Sequence, residues 1–169
     1  MFQSFFPQPK LFFSSLALWS AVLIIVWYSF GKTIGGVLGF DLTETETVIG
    51  LGHFITSEFL WFDTFFAFGA LAFFFVWRSR SPHEWQVWSV LGSALLIYLS
   101  YASVQVSVVI NAWYGPFYND IQTALTGDGG ITAGDLYGHF LVFCTIAFPY
   151  ILFIILNRFF TAHYIFRWR

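Results

Sequence analysis

Four long apolar stretches fill most of this chain, and nearly all of its lysines and arginines fall in alternate gaps between them. The stretches cover about 11–30, 59–77, 83–110 and 136–156. Each reaches the ~20 residues that a helix needs to cross a ~30 Å hydrocarbon core. Lipid offers the backbone no hydrogen-bond partner, so spans of this length have to be helices. They are too long for barrel strands and lack the alternation of such strands. The expected fold is therefore all-α: a polytopic membrane protein with four transmembrane helices, forming one membrane domain over 1–169.

Composition agrees. Charged residues make up 9% of the chain, against about 25% in a soluble domain. A water-soluble fold of 169 residues could not hide 24 Phe, 8 Trp and 8 Tyr. The net charge of −2 gives no electrostatic footprint for a nucleic-acid partner. Cys144 is the only cysteine and lies inside an apolar run, so no internal disulfide can form.

The first span could be confused with a secretion signal. Its apolar run exceeds the usual ~7–15 residues and no small-residue cleavage site follows, so it reads as a retained span. Lys10 precedes span one, Arg78 and Arg80 follow span two, and Arg158, Arg167 and Arg169 follow span four; only Lys32 lies in a loop of the other parity. The cytoplasmic side keeps the Lys/Arg excess, which puts both termini in the cytoplasm. Asp41, Glu44, Glu46 and Glu58 then lie outside in the first loop, and Asp120, Asp128 and Asp135 in the second.

Local signals mark the boundaries. Ser81-Pro82-His83-Glu84 has the form of an N-cap, a proline at the first helical position and a capping-box glutamate, and starts span three. Thr126-Gly127-Asp128-Gly129-Gly130 is a turn cluster, and Thr132 with Asp135 offers a second capping box. Gly31, Gly35, Gly36 and Gly39 follow span one. The pairs Gly31/Gly35 and Gly35/Gly39 fit a small-xxx-small helix contact, but they lie past the apolar run and are expected in a flexible outer loop.

Few residues could carry chemistry. In span three Ser89, Gly92, Ser93, Ser100, Ser103, Ser107 and Asn111 share an arc of roughly 100° at helical pitch. That arc is either a packing seam or the wall of a cavity for polar cargo. Asp63 lies a turn inside span two. A carboxylate at mid-membrane costs about 2.5–3.5 kcal/mol on the insertion scale, so Asp63 is either a proton site or reaches headgroup water. Trp113, Tyr114, Phe117 and Tyr118 cluster where span three leaves the membrane, as interface anchors or as the mouth of a path; Gln122 is a further polar candidate there. Pro116 and Pro149 are candidate hinges. His53, His83, His139 and His163 are scattered and do not suggest a metal site. There is no phosphate-binding loop and no clustered nucleophile, base and acid, so an enzyme is not expected.

Several segments nonetheless carry a resemblance: Met1-Phe2-Gln3-Ser4-Phe5-Phe6-Pro7, Ser81-Pro82-His83-Glu84-Trp85-Gln86, Asn111-Ala112-Trp113-Tyr114-Gly115-Pro116-Phe117-Tyr118 with Ile121-Gln122, and His163-Tyr164-Ile165-Phe166-Arg167-Trp168-Arg169. Together they resemble the SbmA/BacA family of bacterial inner-membrane importers of antimicrobial peptides. The Asn-x-Trp…Phe-Tyr…Gln pattern alone is also similar to the membrane domains of a wider group of ABC transporters. The resemblance implies an N-terminal part of a longer transporter: two accessory helices, then the first two helices of an ABC-exporter-like membrane domain. It implies proton-driven peptide uptake across the bacterial inner membrane by a homodimer with no cofactor, and with lipid and peptide as partners. Several relatives carry Asp directly after the Phe-Tyr pair, whereas here Asn119 precedes Asp120, so a carboxylate role does not transfer directly. Three other readings stay open: a truncated, non-transporting fragment or assembly partner, the membrane half of an ABC-type transporter with a separate ATPase, and a structural membrane protein without cargo.

Overall fold

The structure, a computed structural model, describes residue 6 and residues 8–43, 48–127 and 130–168, with the backbone alone at Trp168. Met1 to Phe5 and Pro7 of the N-terminal motif, Glu44 and Glu46 of the first loop, Asp128 and Gly129 of the turn cluster, and Arg169 lie outside the described residues. The described chain is all-helical and contains no strand. Its elements are α1 (Pro9–Val37), a short 3-10 turn (Leu51–Ile55), α2 (Ser57–Arg80), a π-helical turn (Val87–Gly92) that leads into α3 (Ser93–Thr126), and α4 (Ala133–Trp168). The four expected spans are present, each on a helix long and apolar enough to cross a membrane.

The helices run further than the apolar stretches. At 1.5 Å per residue, the 24 residues of α2 extend about 36 Å, whereas the 40 of Val87–Thr126 extend about 60 Å. Pro9 starts α1 where its missing N–H costs nothing. Pro116 and Pro149 both lie inside helices, so α3 does not stop at Gly115-Pro116 but continues for another ten residues. The second capping box forms. The Thr132 N–H and hydroxyl donate to the Asp135 carboxylate at 2.8 and 2.7 Å, and the Asp135 N–H returns to the Thr132 hydroxyl at 3.4 Å. Gly127 and Gly130 take positive φ, as the turn cluster requires.

The first capping box does not form. Ser81 N–H closes the end of α2 on the Trp77 carbonyl, residues 82–85 make a turn, and helical bonding resumes with Ser89 N–H on Trp85 O. Pro82 disfavours the α conformation at Ser81, and the hairpin needs those residues to reverse direction. Span three therefore starts at 86–87 rather than at 83.

The chain divides into two compact units, one from Met1–Glu44, Ser57–Tyr98 and Arg158–Arg169, the other from Thr45–Thr56 and Leu99–Asn157. In the first, α1 and α2 form an antiparallel hairpin joined by three indole N–H bonds: Trp77 to Ser15 Oγ (3.1 Å), Trp19 to Gly69 O (3.0 Å) and Trp61 to Gly31 O (3.0 Å). An indole N–H in lipid needs an acceptor, and glycines leave their carbonyls open to approach. Gly31 and Gly35 are buried on α1, and a Cβ on Gly35 would stand 3.0 Å from Trp61 Nε1. Of the four glycines expected in a loop, Gly31 and Gly35 thus form a helix contact, whereas Gly36 and Gly39 are exposed. α1 persists to Val37 and carries Lys32 within it, with Trp61 and Leu42 packed on Gly35. α1 ends in a Schellman arrangement, with Gly39 at φ +92°, Gly39 N–H on Gly36 O and Phe40 N–H on Gly35 O. The core of this unit is Phe6, Phe12, Phe73, Trp77 and Val90. In the second unit the core is Val106, Val109, Trp113 and Ile146.

Candidate functional site

α3 presents two faces. Leu99, Ala102, Val106, Val109 and Trp113 are buried at alternating three- and four-residue steps, the spacing of one helix face. Ser100, Ser107, Asn111, Tyr114, Tyr118 and Gln122 recur at similar steps and are exposed. On an exposed face of a membrane-crossing helix the Asn111 and Gln122 amides are costly against lipid and are better placed against water, cargo or another polar surface. Its members are ordered: Ser107 Oγ donates to Ser103 O (3.2 Å), Ser103 Oγ to Leu99 O (2.8 Å), Asn157 Nδ2 to Ser100 Oγ (3.3 Å), and the Tyr114 and Tyr118 rings stack at 5.7 Å.

The serine arc splits along its length. Ser89 is buried, and Ser93 shares a hydrogen bond with the Tyr164 hydroxyl at 3.0 Å, so that end is a packing seam. The end from Ser100 to Asn111 is the exposed one, apart from the half-buried Ser103. Trp113 lies apart from the stripe, buried, with its indole donating to His139 O (3.0 Å) and its ring stacked on Phe117 at 4.5 Å. Phe117 joins that aromatic core, half-buried, against His139 and Phe140.

The conspicuous segments also find one another. Arg167 lies over the Trp88 and Trp85 rings at 4.9 and 5.6 Å, a cation–π geometry, and donates from Nε to His163 Nε2 at 2.9 Å. His163 in turn sits 4.9 Å from Trp88. The family model of the SbmA/BacA-like family matches residues 82–169, more than half of the chain. The chain belongs to the SbmA/BacA-like family. Members of this family are membrane transporters, and the four apolar helices make this chain a multi-pass membrane protein in contact with the bilayer. The SbmA/BacA-like match covers the Trp85–Trp88 turn, the whole α3 stripe and the His163–Arg167 segment.

Other candidate groups lie elsewhere. Asp63 on α2 accepts from the Tyr98 hydroxyl at 3.0 Å, and its second oxygen is buried. Outside the spans, the Thr43 hydroxyl at 2.6 Å and the Thr43 N–H at 3.1 Å hold the Asp41 carboxyl below the usual carboxylate range. Burial, with the Arg78 charge behind it, pulls His83 below the usual imidazole range. No three metal-ligating side chains gather among the described residues.

One pair escaped the sequence reading. His139 Nε2 and Asp120 Oδ2 meet at 2.7 Å. A signal did exist: Asp120 lies six residues before the end of α3 and His139 six after the start of α4, so an antiparallel hairpin brings them level.

Proposed function

We propose that this chain is part of a proton-driven importer of antimicrobial peptides in the bacterial inner membrane, with both termini cytoplasmic. The membership of residues 82–169 in the SbmA/BacA-like family carries the reading. The exposed stripe supports it: Ser100, Ser107, Asn111, Tyr114, Tyr118 and Gln122, with the half-buried Ser103 and Phe117 beside them, offer hydroxyl, amide and ring groups suited to peptide backbone and side chains. In this reading residues 1–169 act as one membrane portion of a transporter that works as a homodimer, Trp113 fixes the helix that bears the stripe, Asp63 is a proton-site candidate, and Pro116 and Pro149 let α3 and α4 flex.

The energetics are sufficient. One proton moving down ~100 mV releases about 2.3 kcal/mol, and a hundredfold peptide gradient costs about 2.7 kcal/mol at 1.36 kcal/mol per tenfold. One or two protons per cycle meet that cost. The test is uptake of a labelled proline-rich peptide into vesicles bearing the transporter. Uptake should stop when an ionophore collapses the proton gradient; uptake that survives collapse removes the proton-driven mechanism, and uptake that requires ATP instead points to an ABC-type machine.

A further inference from the structure

We propose that Asp120 and His139 form a proton-binding latch between α3 and α4, in which a protonated His139 tightens the hold between the two helices and a neutral one loosens it. The proposal rests on the proton-driven reading and assigns the proton to a site other than Asp63. Three observations carry it.

The first is geometry. The 2.7 Å separation of His139 Nε2 and Asp120 Oδ2 is that of a charge-assisted N–H···O bond, and the bond bridges two helices rather than two turns of one. With Nε2 donating to the carboxylate, an added proton goes to Nδ1, the ring becomes imidazolium and Asp120 stays ionised as its counter-charge. Histidine is the side chain whose ordinary titration lies between pH 5 and 8.

The second is access. The two side chains keep 20% and 31% of their surface exposed, so no packed group of this chain closes the pair off.

The third is connection. His139 is bound to α3 twice more, through its carbonyl to Trp113 Nε1 at 3.0 Å and through its ring edge to Phe117 at 5.8 Å. Asp120 itself lies between Tyr118 and Gln122 of the exposed stripe. A change in the hold on Asp120 therefore acts on the turn of α3 that carries the end of the proposed peptide path. The charged groups that face His139 are Asp120 from α3 and Asp135 from one turn earlier on α4, and Asp135 is already engaged by Thr132.

The test combines titration with transport, in the transporter reconstituted in liposomes. Solid-state NMR of ring-labelled histidine follows His139, whose resonance is assigned by its loss in H139Q. Replacing Asp120 with Asn removes the counter-charge 2.7 Å from the ring, so the His139 midpoint read in this way should fall. H139Q keeps an N–H donor for Asp120 but cannot take up the proton, so a purely structural role would leave its uptake–pH profile intact. The latch predicts that H139Q loses the pH inflection of peptide uptake and that D120N moves it to lower pH. A His139 midpoint unmoved by D120N, or an H139Q profile matching the parent, overturns the proposal. A midpoint that shifts in D120N while uptake ignores the proton gradient upholds the proton-binding pair and rejects proton-driven import instead.

Discussion

Gly35 and Gly36 are neighbours with opposite surroundings. A Cβ at Gly35 would meet Leu42 at 2.7 Å and Trp61 at 3.0 Å, whereas nothing lies within 4 Å of one at Gly36. The Leu42 methyl can swing away; the Trp61 ring cannot, being buried and tied to Gly31 O. Gly35→Val is expected to destabilise the α1–α2 hairpin by about 1–3 kcal/mol through overpacking, while Gly36→Ala should be neutral or stabilise by up to about 1 kcal/mol through helix propensity. Detergent-denaturation curves for the two variants check this. His83 gives a pH prediction. Its folded pKa is depressed by burial and then by Arg78, so the neutral ring is the one that fits. As pH falls below the ordinary histidine value of about 6.5, the unfolded chain takes up a proton that the folded one resists, and stability drops until the folded pKa is passed. Amide protection factors over residues 83–86, with the intrinsic pH dependence of exchange divided out, should fall on acidification from about pH 7.5 to 5.5, across that value, and His83→Gln should remove the change.

The α1–α2 hairpin depends on side-chain bonds more than on amphipathic patterning, since both helices are apolar nearly all round. Trp61→Phe preserves most of the ring and removes the bond to Gly31 O, and should cost about 0.5–1.5 kcal/mol. Thr132→Ala removes the two hydroxyl bonds of the cap at the start of α4, leaves the Thr132 N–H on the Asp135 carboxylate, and should cost about 0.5–2 kcal/mol, read as fraying of the first turn by amide exchange. The elements themselves were legible in the sequence because a bilayer fixes span length and forces helices. Their ends were legible only where polar chemistry acts locally, as at Thr132–Asp135. At Ser81–Glu84 the same motif was present, but the reversal of the chain outweighed it. Gly31 and Gly35, after the first apolar run, were misplaced because their partner, Trp61, lies on another helix, and no pattern within α1 announces it. The α3 stripe was partly legible by its period. That Ser93 would pack on Tyr164 while Ser107 stayed exposed depends on what α4 brings alongside. The Asp120–His139 pair needed the hairpin's register, which becomes readable only once the turn is located.

For the whole molecule, the proposed orientation puts the 81–86 turn on the cytoplasmic side. A cysteine replacing Ser81, in a chain where Cys144 has been changed to alanine, should react with an impermeant maleimide only after the membrane is opened; labelling in intact cells would invert the map. The helix lengths bear on how the transporter responds to its lipid. α2 carries Arg78 and Arg80 at one end and Glu58 at the other, leaving little slack around a hydrocarbon slab of ~30 Å. The helix through α3, about 60 Å at 1.5 Å per residue, has ample length to settle at several depths. Mismatch is relieved by tilt in a long helix and by deforming the lipid around a short one. Changing acyl-chain length should therefore strain the α1–α2 hairpin first, and lengthening α2 by one apolar turn should shift the preferred bilayer toward longer-chain lipids.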